Sequence, residues 1–194
     1  MLNHHLGVLL IDNLPQRRTL LERELNRLGH PVVDQLEEVS ALQQPVEAHQ
    51  PDLLLIATDT PSQQLLNALT DLSNAAPTPI ILFAEQQKAA RRADRAIEAG
   101  VSSFIAGDLP LPRLQPIIEA ALAHFRCYQQ LRNELEVTRD QLSSRKITEK
   151  AKGLLIKHHN CSEDQAFNTL RKLAMDRGQK MTEVASEVIR MFEH

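Results

Sequence analysis

The side chains best supplied for chemistry are cations crowded into one stretch of the chain. Between residues 139 and 180 there are 10 Lys and Arg against 5 Asp and Glu, a net +5. Such a surplus suits contact with the phosphates of a polyanion, a kind of binding that weakens as salt rises. Residues 1–112 are the reverse, with 8 basic and 14 acidic side chains, net −6, while residues 113–194 come to net +3. The overall charge of −3 taken alone argues against a generic polyanion binder. The split shows that this total is the sum of two unlike parts.

Other constellations carry less. His158, His159 and Cys161 cluster near a helix end, but a structural zinc site needs four ligands, and no second pair lies at suitable spacing. His4-His5 is read as a chance pair. Arg91, Arg92 and Arg95 make a basic helix face that reads as solvated. None of the 6 Gly forms a phosphate loop, and no Ser–His–Asp grouping follows from spacing. No enzyme activity, cofactor or metal is expected. Only Cys127 and Cys161 are present, too few for a disulfide framework. Trp is absent and Tyr128 is the only Tyr, so rows of stacking aromatics are not expected. No apolar run approaches a membrane span, and the N-terminus lacks a signal-peptide pattern. A cytoplasmic protein is the expectation.

The elements that position these residues follow from periodicity. Apolar runs at Gly7–Ile11, Pro31–Val33, Asp52–Ala57, Pro79–Phe83 and Val101–Ile105 read as strands. Helical stretches at 15–28, 45–50, 62–73 and 86–99 separate them. Alternation of this kind implies βαβ units and a parallel sheet, in the flavodoxin-like order 2-1-3-4-5.

After Pro112 the pattern changes. Leu114, Ile118, Ala121, Phe125, Tyr128, Leu131, Leu135, Thr138 and Leu142 follow steps of three and four. This predicts a heptad seam with one skip, and a coiled-coil dimer to cover it. Three helices are expected beyond it. The first runs from Lys146 to His158 with Ile147, Ala151, Leu154 and Leu155 inward. Ser162 and Gln165 form a capping box for the second, with Ala166, Phe167, Leu170, Leu173 and Ala174 inward. Gly178 ends it, and the third buries Met181, Val184, Ala185, Val188 and Ile189.

The first half resembles the receiver domain of bacterial response regulators, through Leu9-Leu10-Ile11-Asp12-Asn13 and Pro51-Asp52-Leu53-Leu54-Leu55-Ile56 with the following Pro61. The resemblance implies two adjacent acids for Mg²⁺, an acceptor Asp four residues before the Pro, a Thr or Ser after strand 4 and a Lys after strand 5. Here those positions hold Asp12 with Asn13, then Ala57, Ala84 and Gly107. A methyl group offers no nucleophilic oxygen, and Asp59 lies two residues too far along. A pseudo-receiver controlled by a protein partner is the expectation.

Residues 144–190 resemble the ANTAR RNA-binding domain. The resemblance rests on Ile147-Thr148-Glu149-Lys150-Ala151-Lys152-Gly153-Leu154-Leu155, Ser162-Glu163-Asp164-Gln165-Ala166-Phe167, Leu170-Arg171-Lys172-Leu173-Ala174-Met175 and Lys180-Met181-Thr182-Glu183-Val184-Ala185. The whole order is similar to ANTAR antiterminators of nitrate assimilation and of the amidase operon. It implies an α/β flavodoxin-like receiver with a parallel five-stranded sheet over 1–112. A long coiled-coil dimerisation helix over 113–145 and a small three-helix ANTAR unit over 146–194 follow.

It further implies antitermination: a homodimer binds paired leader mRNA hairpins and stops a terminator from forming. RNA polymerase is involved only indirectly, and no membrane is involved. Lys152, Arg171, Lys172, Arg177 and Lys180 are the first RNA-contact candidates, followed by Lys150 and Lys157. The implied restraint is a periplasmic-binding-like sensor of nitrate, nitrite or another small ligand. The competing reading is a DNA-binding response regulator whose last helices form a helix-turn-helix.

Overall fold

Strands that are apolar on both faces need cover on both faces. A computed structural model describes residues 5–38, 42–85, 92–107 and 111–192. It divides the chain into two compact units, residues 1–128 and 129–194. His4 and Arg91, with the expected helix start at 86–91, lie outside the described residues.

In the first unit the strands are β1 (Val8–Asp12), β2 (Val32–Leu36), β3 (Leu53–Thr58), β4 (Ile80–Ala84) and β5 (Ser103–Ala106). The helices are α1 (Pro15–Arg27), α2 (Gln43–His49), α3 (Gln63–Ala75) and α4 (Ala93–Glu98). All pairings are parallel and the sheet order is β2-β1-β3-β4-β5. This is the flavodoxin-like order expected from the strand–helix alternation. β2, expected over Pro31–Val33, extends on through Asp34 and Gln35 to Leu36, and those two polar residues hid its later part from an apolar reading. An edge strand tolerates such polar residues because one side stays open.

Alternate strand residues feed two cores. Leu9, Ile11, Leu54, Ile56, Ile80 and Leu82 face α2, α3 and α4. Val8, Leu10, Leu53, Leu55, Ile81 and Phe83 face Leu21 and Leu25 of α1. The second core also takes Leu114, Ile118 and Ala121, the first three seam positions. Gly100, at φ +94°, sits where a Cβ would meet Ser73 Oγ at 2.0 Å. Both the backbone and the close approach require glycine there.

A short 3-10 turn at Leu111–Arg113 leads into α5, which runs unbroken from Leu114 to His159. The expected separate helix from Lys146 to His158 is therefore the last part of α5. Neither Gly nor Pro stands near the junction to terminate a helix, and Ser143 and Ser144, which could have capped a new one, stay within α5. The seam splits by environment. Its start is buried against the sheet, while Tyr128, Leu131, Leu135 and Leu142 are at least half exposed.

The second unit consists of the later part of α5, then α6 (Glu163–Arg177) and α7 (Met181–Phe192). Asn160 adopts φ +49°, a left-handed conformation that Asn accepts more readily than most residues, and it ends α5. Ser162 Oγ then accepts from the Gln165 N–H, and Gln165 Oε1 accepts from the Ser162 N–H, completing the capping box. Gly178 at φ +62° closes α6. The core holds Ala151 and Leu155 of α5, Ala166, Leu170 and Ala174 of α6, and Val184, Ala185 and Val188 of α7. With so many alanines, the backbones must approach closely. Phe167, expected inward, is 40% exposed. The stripe 166-170-174 already fills the contact, and the next residue along points about 100° away.

Candidate nucleic-acid interface

The sheet brings Asp12, Ala57 and Ala84 together at the C-terminal ends of its strands. Asp12 pairs in register with Ala57, and Thr58 with Ala84. Asp12 is fully buried. Its carboxylate is held by a residue that sequence reasoning missed. Arg17 donates from Nε to Asp12 Oδ2 at 2.7 Å and from Nη2 to Asp12 Oδ1 at 2.8 Å. Arg17 Nη1 also reaches Asp59 Oδ1 at 3.4 Å, and Nη2 reaches Asn13 Oδ1 at 3.4 Å.

The two-pronged hydrogen bond to Asp12 raises the Arg17 pKa above its ordinary value, against an opposing effect of burial. The carboxylate also accepts the Leu14 N–H at 2.8 Å. A divalent cation of the receiver type does not fit these residues. One of the two positions that would hold acids is Asn13, a neutral amide, and the other, Asp12, already carries a guanidinium. The only hint in the sequence was an Arg five residues after Asp12, in the first turns of α1.

The cations of the second unit fall into two classes. Lys152 and Arg177 are tied up within the unit. Lys152 is only 8% exposed, and its Nζ lies 2.8 Å from both Glu149 Oε1 and Glu163 Oε1. The hydrogen bond to Glu149 is the largest cause of its raised pKa, with Glu163 next. The same contact, through Lys152, lowers the pKa of Glu163. Lys152 therefore joins α5 to the first turn of α6. Arg177 Nη1 meets Glu187 Oε2 at 2.7 Å and joins α6 to α7.

Arg171 and Lys172 belong to the other class. They are adjacent, exposed, and without a hydrogen-bond or ion-pair partner among the described residues. Lys180 is exposed just before α7, and its backbone N–H caps onto Glu183 Oε2 at 3.2 Å. Lys150 and Lys157 are exposed on α5. At about 100° per residue they lie some 140–160° around the helix from Lys152. Lys150 and Lys157 thus do not share a face with Lys152. Among the described residues no group of three His, Cys, Asp or Glu is arranged to hold a metal. His158 stacks on Phe192 with ring centroids 4.4 Å apart, and His159 meets the same ring edge-on at 5.9 Å. No helix among the described residues is long and apolar enough to cross a membrane.

Residues 8–119 match the family "Response regulator receiver domain", and residues 136–189 match "ANTAR domain". The chain is 29% identical over 183 residues to transcriptional regulatory protein PdtaR of Mycobacterium tuberculosis, covering 94% of this chain and 88% of that protein. It is 43% identical over 61 residues to the nitrate regulatory protein of Klebsiella oxytoca, covering 31% of this chain and 15% of that protein. A LuxR-family two-component response regulator from Aurantimonas superposes with a TM-score of 0.54 at 24% identity, over 62% of this chain and 86% of that one. That last likeness is one of fold. Receiver topology, the two family matches and the regulator relatives agree, and the chain belongs to the response regulator receiver family as a member that carries an ANTAR domain.

Proposed function

We propose that this regulator acts by transcription antitermination, binding paired hairpins in leader mRNA through its ANTAR unit so that a terminator cannot form. The carrying observation is the unpartnered pair Arg171 and Lys172 on the exposed side of α6. Unsatisfied cations there can neutralise phosphates without first breaking an internal bond. Lys180, Lys150 and Lys157 are secondary contacts. Lys152 and Arg177 contribute by holding the helices in register. RNA polymerase is affected only through the RNA.

The half-exposed seam of Tyr128, Leu131, Leu135 and Leu142 supports a homodimer, because a second helix would remove it from water. Two ANTAR units in one dimer would match two hairpins and gain avidity. The receiver half, net −6 over residues 1–112, suits a protein partner better than RNA. Control by a periplasmic-binding-like sensor of nitrate, nitrite or another small ligand fits a domain without an acceptor oxygen at Ala57. Such a sensor must bind the RNA-incompetent state better than the competent one.

Two measurements test this reading. In a gel shift, leader RNA with two hairpins binds more tightly than duplex DNA of the same sequence. Equal or tighter DNA binding would favour a DNA-binding response regulator instead. Incubation with acetyl phosphate and Mg²⁺ leaves the intact mass unchanged, and the gain of one phosphoryl group would overturn control without phosphorylation.

A further inference from the structure

On α6 the residues Glu163, Phe167, Arg171 and Met175 recur every four positions and so form one surface stripe. Successive members are about 6 Å apart along the axis. Phe167 is 40% exposed and Met175 is 72% exposed. Burial would have been the default for an aromatic ring of this size. The small residues Ala166 and Ala174, with Leu170, take the core side instead.

The two sides of the ring differ in charge, with the Glu163 carboxylate on one and an unpartnered guanidinium on the other. Lys152 Nζ reaches Glu163 at 2.8 Å, one turn before Phe167, and the unpartnered Arg171 lies one turn after it. An apolar protein partner would have to bring carboxylates to meet Arg171 and Lys172. A second copy of this face would bring the same cations against each other. An unpaired nucleobase offers what the stripe lacks, a flat π surface for the ring with a backbone phosphate for Arg171 on the side away from Glu163.

We propose that Phe167 is a stacking platform for one unpaired base of an RNA loop, with Arg171 meeting a flanking phosphate. This rests on the RNA-binding reading above. Among the described residues of this unit Phe167 is the one exposed Phe, Tyr or Trp ring, and it lies one turn from the unpartnered Arg171, so one splayed base per unit is the expected stoichiometry. A continuous single strand would need a row of rings.

The test uses the full chain and the two-hairpin leader RNA, with loop adenines replaced in turn by 2-aminopurine. Phe167→Leu keeps an apolar side chain but removes the π face. It weakens binding about tenfold and leaves the slope of log affinity against log salt unchanged, since no ion contact is lost. Phe167→Trp restores affinity. At one loop position the 2-aminopurine quenching seen with the native protein disappears with Phe167→Leu. Circular dichroism and the melting midpoint confirm that both variants are folded.

Binding by Phe167→Leu within twofold of the native protein overturns the proposal, with RNA binding itself intact. So does a change confined to the sedimentation coefficient, which would assign the ring to a contact between copies. Failure of the native protein to bind the RNA would instead remove the RNA-binding reading, and this inference with it.

Discussion

Replacing Arg171 and Lys172 together by Ala weakens leader-RNA binding about 30-fold near 0.15 M salt, and lowers the salt slope by about two. Each phosphate contact releases close to one counterion. At this ionic strength that is worth roughly a factor of five in affinity. The side chains are exposed and form no internal bond, so their loss leaves the fold and the oligomeric state untouched. A titration by fluorescence anisotropy at several salt concentrations reads both effects. An unchanged slope would place the RNA elsewhere.

Lys152→Ala is a poorer probe of contact, although Lys152 sits inside the family motif. Its removal leaves Glu149 and Glu163 facing each other without the ammonium between them. Any loss of RNA binding would then mix a lost phosphate contact with a loosened joint between α5 and α6. Fold effects and contact effects separate cleanly only at residues whose charge has no internal use.

The second large effect is expected in the receiver half. Arg17→Ala destabilises the protein by about 2–3 kcal/mol, because Asp12 is left charged and fully buried with only the Leu14 N–H to satisfy it. Removing both partners costs much less, since neither leaves an orphaned charge. The double variant Asp12→Asn with Arg17→Met is therefore more stable than Arg17→Ala alone. Urea unfolding of the native protein, Arg17→Met, Asp12→Asn and the double variant closes the cycle. An Arg17→Ala variant with native stability would show that the guanidinium is only loosely attached. The same contacts bear on signalling. Arg17 ties the end of β1 to Asp59 in the loop after β3, beside the positions a phosphorylated receiver uses. The Arg17 guanidinium occupies the side of Asp12 that a divalent cation would need.

Much of the fold was legible because its determinants are local. Short apolar runs alternating with helical stretches set five strands in order. The capping box at Ser162 and the stop at Gly178 bound α6 within one residue. The missing acceptor at Ala57 needs no coordinates, since side-chain chemistry alone excludes phosphotransfer there.

What the sequence left open is which side of each helix meets a neighbour. A stripe of 166-170-174 and one that includes Phe167 fit the same helical period. The backbones pack closely enough that alanines take the contact and the phenyl ring is left outside. The seam from Leu114 onward reads alike whether a sheet or a second helix covers it. Only the packing of α5 assigned Leu114, Ile118 and Ala121 to the receiver core. Charge pairing is likewise non-local: Arg17 with Asp59, Lys152 with Glu163 and Arg177 with Glu187 are separated in sequence. The sequence by itself determined that cations gather in the second half of the chain. The tertiary structure decided which of them are consumed in holding the unit together and which remain free to meet phosphate, because that depends on carboxylates brought in by other turns and helices.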